Sequence, residues 1–211
     1  MPHFVSALEP ADNGLKVATF EASFRGVHPH SFTLVPWVTP SVAGLTPPAD
    51  GQPPTELIVP ETRFAATVRA AMAAVPQLTA GEAICAYPSY QVSTRKLHFP
   101  LGDIRKVEPM IGFELEDQLP RSLDELLYAW VVTKATREST DLLVATTAKS
   151  EVSKLIEDYG ALGIQPRSLL YQPLCYLALD SKETPLGPNY VLVDLGASCT
   201  NVLVVHNGMP I

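Results

Sequence analysis

The sequence predicts an α/β protein, and three observations carry that reading. Three β-rich segments separated by turn residues come first. An alanine-rich stretch with helical periodicity follows, then a second set of strands and helices. Two further β-rich runs close the chain, joined through Asp194-Leu-Gly-Ala-Ser-Cys-Thr200. Strand and helix are separated by the period of the apolar residues, two for a half-buried strand and 3.6 for an amphipathic helix.

The first segment, Phe4 to Glu9, runs into turn chemistry at Pro10-Ala11-Asp12-Asn13-Gly14. Lys16 to Ser23 is the second strand, with Val17, Thr19 and Glu21 on one face and Ala18, Phe20 and Ala22 on the other. Arg25-Gly26-Val27 makes the next turn, and His30 to Val38 the third strand, which predicts an antiparallel meander. Pro36, Pro40, Pro47, Pro48, Pro53, Pro54 and Pro60 make Thr39 to Pro60 a surface loop, because proline fixes φ and lacks a donor. Glu61 to Val75 follows as a helix with Phe64, Val68, Met72 and Val75 on its stripe, and Ala83 to Tyr87 as a short buried strand.

A second set begins with a strand over Ser93 to Phe99. Asp103 is a candidate cap for a helix towards Leu119, with Ile104, Val107, Ile111 and Leu115 inward. Pro109 falls inside it and predicts a kink or a late start. Leu127 to Ala135 and Asp141 to Thr147 are strands. Ser150 is the expected cap of a helix whose stripe is Val152, Leu155, Ile156 and Tyr159, ended by Gly160 and Gly163. Arg167 to Tyr171 reads as a strand, and Pro173 opens a helix through Asp180. After the linker of residues 182–188, Tyr190 to Leu195 and Asn201 to His206 form a hairpin. Asn207-Gly208 is a tight-turn signal that calls for a third strand, so the sequence reads as truncated at Ile211.

Composition limits the function. The chain has 211 residues, 46% of them hydrophobic and 18% charged, enough for one or two domains with a real core. A net charge of -7 without a basic run argues against nucleic acid, whose binding needs clustered Lys and Arg. Cys85, Cys175 and Cys199 show neither metal nor redox spacing and read as buried or free thiols in a reducing compartment. No apolar run approaches the roughly 20 residues that span a bilayer, and Met1-Pro-His-Phe-Val lacks the pattern of a secretory signal. These features predict a soluble, cytosolic protein.

Catalytic signatures are scarce. No phosphate loop, dinucleotide fingerprint, nucleophile elbow or zinc-protease motif occurs. His28 and His30 flank Pro29 and lack further ligands nearby, so they read as exposed turn residues. Glu114, Glu116 and Asp117 read as a solvated acidic helix face. Phe113, Leu119 and Leu123 read as core-packing residues. The signal above background is Asp194 to Thr200. Gly196 lets a backbone approach a ligand, successive amides can face phosphate oxygens, Thr200 adds a hydroxyl, and Asp194 could orient a metal-bound water. An ordinary hairpin turn accounts for the same residues equally well.

The D-[IL]-G-x-x-x-T hairpin, placed after a lobe interrupted by an extra small domain, resembles the actin-like ATPase superfamily, FtsA and PilM in particular. Gly112-Phe-Glu-Leu-Glu-Asp-Gln-Leu-Pro120, within Phe99 to Pro120, narrows this to the PilM/GspL family, and Leu123 to Trp130 continues in register. The resemblance implies an actin-like (ribonuclease H-like) first lobe over 1–92 plus 165–182. It also implies an inserted small α/β domain at 93–164 and the opening hairpin of a second lobe at 188–211.

The resemblance further implies a scaffold at the cytoplasmic face of the bacterial inner membrane. It would dock an assembly ATPase (GspE- or PilB-like), contact platform proteins (GspM- or PilN-like) and self-associate. Actin-like ATPases hold nucleotide between two hairpins. The positions matching the first are Glu9-Pro10-Ala11, where proline has no N–H and alanine lacks glycine's freedom. Asp194, Gly196 and Thr200 would then be a vestigial nucleotide site, with no metal, no cofactor and no ATPase activity expected, closer to GspL than to PilM. The alternative is an ATP- and Mg-binding PilM/FtsA-type protein that switches or polymerises with nucleotide.

Overall fold

The computed structural model describes residues 3–40, 62–79, 82–182 and 184–211; most of the expected proline-rich loop lies outside them. The chain divides into two compact units, residues 1–84 with 158–167 and residues 85–157 with 168–211.

The first unit is built on the expected meander. Strands β1 (His3–Ala11), β2 (Gly14–Ser23) and β3 (Gly26–Pro36) pair antiparallel, with a bulge in the β2–β3 register at Thr19/Phe20. Each strand is longer than its apolar run because the hairpins close tightly, with Ala11 opposite Gly14 and Ser23 opposite Gly26. The full sheet runs β3-β2-β1-β4-β8, where β4 is Glu82–Tyr87 and β8 is Pro166–Tyr171.

Helix α1 (Arg63–Ala74) is capped by Thr62, whose hydroxyl accepts from the Ala65 amide at 3.1 Å. Its Val68 and Ala71 are fully buried with Leu8, Leu15 and Val17 of the sheet. Thr67 is buried as well, and its hydroxyl donates to the Arg63 carbonyl (2.8 Å) while accepting from the Val38 amide (2.9 Å). That contact ties the chain leaving β3 to the helix.

In the second unit, β5 (Ser93–Phe99), β6 (Leu126–Ala135) and β7 (Thr140–Ala148) form an antiparallel sheet in the order β5-β7-β6. The single helix expected after Asp103 is in fact two short pieces. These are α2 (Ile104–Val107) and α3 (Ile111–Glu116), joined by a 3-10 turn at Glu108–Met110 where Pro109 removes an α-type hydrogen bond. Asp103 caps α2 as expected, accepting from the Arg105 amide at 3.1 Å. Val107, Ile111 and Leu115 pack onto Leu97, Phe99, Leu142 and Val144, giving this sheet one dry face.

Helix α4 (Lys149–Gly160) begins one residue before the expected cap, which places Ser150 inside its first turn. Of its expected stripe only Tyr159 is buried, edge-on to Phe64 at 5.0 Å, and Ile156 is exposed. The helix ends as glycine dictates: Gly163 has φ +80° and the Ile164 amide reaches back to the Tyr159 carbonyl at 3.0 Å. Helix α5 (Gln172–Cys175) and a 3-10 turn (Tyr176–Leu179) replace one continuous helix. The last sheet runs β11-β10-β9, from β9 (Tyr190–Leu195), β10 (Thr200–His206) and β11 (Met209–Pro210). Asn207 and Gly208, at φ 52° and 76°, make the tight turn, and the third strand exists with two residues.

Candidate functional site

Three places in the fold bear on function: the tips of two hairpins and an apolar cleft. At the first tip, Glu9 stands opposite Lys16, and the two side chains form an ion pair at 2.9 Å. Pro10 and Ala11 continue the strand opposite Leu15 and Gly14, so the two-residue turn is Asp12-Asn13. Trp37 caps that turn, its indole N–H shared between the Ala11 carbonyl (2.9 Å) and the Asp12 carbonyl (3.0 Å). The Arg63 guanidinium lies over the Trp37 ring at 5.2 Å. Gly14 is required by close approach, because a Cβ there would fall 2.1 Å from the Val35 carbonyl oxygen. This tip therefore presents a paired carboxylate, a proline without a donor, and turn carbonyls already bonded.

The second tip holds Asp194, Gly196 and Thr200 together at one end of the β9–β10 hairpin. Asp194 pairs in register with Asn201, and Thr200 with Leu195. The Gly196 amide donates to the Cys199 carbonyl at 3.0 Å and closes the turn. Thr200 is exposed. Asp194 Oδ2 accepts from the Tyr176 hydroxyl (2.5 Å) and from the Asn201 side-chain amide (3.2 Å). Gln172 Nε2 in turn donates to the Tyr176 hydroxyl at 3.3 Å. One carboxylate oxygen thus pins the hairpin to the α5 segment, and one amide that would face a phosphate closes a turn instead.

Elsewhere, His28 and His30 are exposed on β3, where His30 Nε2 lies 3.3 Å from Gln77 Nε2. No cluster of potential metal ligands occurs among the described residues. No disulfide joins Cys85, Cys175 and Cys199, and the Cys175 thiol donates to the Tyr171 carbonyl at 3.6 Å.

Sequence reasoning missed the cleft. The face of the β5-β7-β6 sheet opposite the α2–α3 core carries Thr94, Ala145 and Ala129 in one cross-strand row and Leu143 beside Val131 in the next. These small side chains, with Leu169, Leu170, Tyr171, Leu174 and Cys175 of β8 and α5, line an apolar, open cavity of about 280 Å³. Burial pushes the Tyr171 phenol above its ordinary value. A signal for it was present. Leu126 to Val132 is a continuous apolar run rather than an alternating one, the mark of a strand meant to be covered on both faces. Strand β6 is moreover an edge of its sheet, with Leu127, Tyr128 and Ala129 exposed.

Neither a known family profile nor a curated protein sequence matches the chain. Solved structures do. The PilM–PilN type IV pilus biogenesis complex resembles it with a TM-score of 0.75 at 17% identity, over 98% of this chain and 59% of that one. The cytoplasmic domain of EpsL, an inner-membrane component of the Vibrio cholerae type II secretion system, does so with a TM-score of 0.57 at 11% identity. That match covers 99% of this chain and 71% of the EpsL one. The fold is therefore actin-like. More narrowly, it is a PilM/GspL-like fold, and the chain spans about three fifths of the PilM-complex chain it matches.

Proposed function

We propose that the chain is a non-catalytic scaffold of a type IV pilus or type II secretion platform, holding a PilN-like membrane partner through its apolar cleft. The likeness to a chain of the PilM–PilN complex, over 98% of this one, carries the reading. The cleft supplies a place for it: small residues leave room, the walls are aliphatic, and the unpaired edge of β6 lies alongside. An extended peptide in such a groove gains main-chain hydrogen bonds from the edge and buries alternate side chains. No described helix is long and apolar enough to cross a membrane. The proposed place of the chain is the cytoplasmic face of the inner membrane, with the PilN-like protein as its membrane contact. An assembly ATPase of the GspE or PilB kind, a GspM-like protein and a second copy complete the proposed assembly.

The absence of catalysis is part of the proposal. Its support is local: Glu9 is paired with Lys16, Pro10 donates nothing, and Asp194 is held by Tyr176 and Asn201. Titration of a labelled peptide from the cytoplasmic N-terminus of a PilN-like protein tests the docking. Micromolar binding, weakened at least tenfold by Leu170→Asp on the exposed cleft wall, is the expected result. Binding unaffected by Leu170→Asp, or none, would remove the cleft from the reading.

A further inference from the structure

The α2–α3 segment buries one side completely and leaves the other unexplained. Val107, Ile111 and Leu115 are fully buried, yet Phe113 is 76% exposed and Met110 42%. Met110, Phe113, Glu114 and Asp117 follow the i, i+3, i+4, i+7 spacing and share one face. Leu119 and Leu123, which the sequence pairs with Phe113, do pack against the core, so Phe113 alone of the three points outward. The helix packs closely on its inner side: a Cβ at Gly112 would lie 3.2 Å from the Leu123 side chain.

Charge makes this face selective. Residues 108–125 carry Glu108, Glu114, Glu116, Asp117, Asp124 and Glu125 against one base, Arg121, and all seven are exposed. None of the six carboxylates is in an ion pair among the described residues. Glu114 accepts only a neutral hydrogen bond, from Gln118 at 3.1 Å. Of the two bases preceding the segment, Arg105 is engaged by Asp103 at 3.0 Å, and Lys106 stands at the N-terminal end. An exposed aromatic flanked along its helix by the carboxylates of Glu114, Glu116 and Asp117, with Lys149 bonded to the more distant Asp124 carbonyl, is repelled by anionic lipid and by phosphate. It is complementary to a protein surface with Lys and Arg around an apolar pocket.

We propose that the Met110–Phe113 face is a docking surface for a basic, amphipathic protein segment, with Phe113 as the anchor and Glu114 and Asp117 as its charged rim. The surface uses none of the cleft residues, so it stands or falls independently of the cleft reading.

The probe is a fluorescein-labelled 18-residue peptide of Leu and Lys patterned as an amphipathic helix, titrated into the full chain by anisotropy. Phe113→Ser and the pair Glu114→Lys/Asp117→Lys are each expected to weaken binding about tenfold or more. Glu138→Lys/Glu151→Lys makes the same charge change at two exposed positions elsewhere, and is expected to alter binding less than about twofold. Equal weakening by both charge pairs would mean unspecific attraction to an acidic protein and would overturn the proposal. So would full binding by Phe113→Ser. Sedimentation of the wild type alone gives a second outcome: self-association abolished by Phe113→Ser would assign the face to another copy of this chain and overturn the basic partner. Melting curves of all variants, expected to overlay because the residues are exposed, separate lost binding from lost folding.

Discussion

Asp194 Oδ2 takes hydrogen bonds from Tyr176 and Asn201, so the most suggestive residue of the sequence has a structural role in holding the hairpin. Tyr176→Phe deletes the donor and leaves a half-buried carboxylate under-satisfied. It should cost about 1–3 kcal/mol in urea denaturation. Ser6 gives the opposite expectation. It is fully buried and its hydroxyl has no partner among the described residues, so Ser6→Ala should be neutral or stabilise by about 1 kcal/mol. Asp103 gives a pH signature. The Arg105 side-chain hydrogen bond, with the Arg105 amide, holds its carboxyl below the usual 3.8. A depressed folded-state pKa means the contribution is present above the unfolded value and lost as pH falls through the folded one. Urea midpoints should therefore fall slightly more on acidification for the wild type than for Asp103→Asn, the effect being small because the pair is exposed.

At the scale of the element, most of the fold was legible because period and punctuation agree. The meander follows from alternation closed by two-residue turns at Asp12-Asn13 and Phe24-Arg25, the second one residue before the expected Arg25-Gly26-Val27, and the end of α4 follows from Gly163. Where the expectation missed, tertiary contacts decided. The stripe on α4 buries only Tyr159, because the local pattern does not say which turns meet a neighbour, whereas the break into α2 and α3 is the interruption that Pro109 predicts. The three hairpin residues were legible as a motif but not as a network, since nothing in the spacing of Gln172 and Tyr176 announces a bond to Asp194. Two substitutions probe elements directly. Gly14→Ala places a methyl against the Val35 carbonyl and should cost about 1–3 kcal/mol as β2 and β3 part. Ile111→Ala empties the core between α3 and the β5-β7-β6 sheet and should cost about 2–5 kcal/mol.

For the molecule as a whole, the question is whether an actin-like fold is here a nucleotide machine or only a frame. The chemistry of phosphate binding needs free backbone donors and an available carboxylate. The β1–β2 tip offers Pro10 without a donor and Glu9 paired to Lys16, and the β9–β10 tip offers an amide and a carboxylate oxygen already engaged. A ligand that binds only the folded state at a hundredfold excess over its Kd stabilises it by about 2.7 kcal/mol. In a protein of this size that raises the Tm by about 5–10 °C. With 1 mM Mg-ATP, a shift below about 1 °C is therefore the expected outcome, and it excludes a Kd in the micromolar range. A full shift that Asp194→Ala abolishes would instead show that Tyr176 and Asn201 release the carboxylate when nucleotide arrives. In that case Tyr176→Phe should enlarge the shift, because one competitor for Asp194 has been removed.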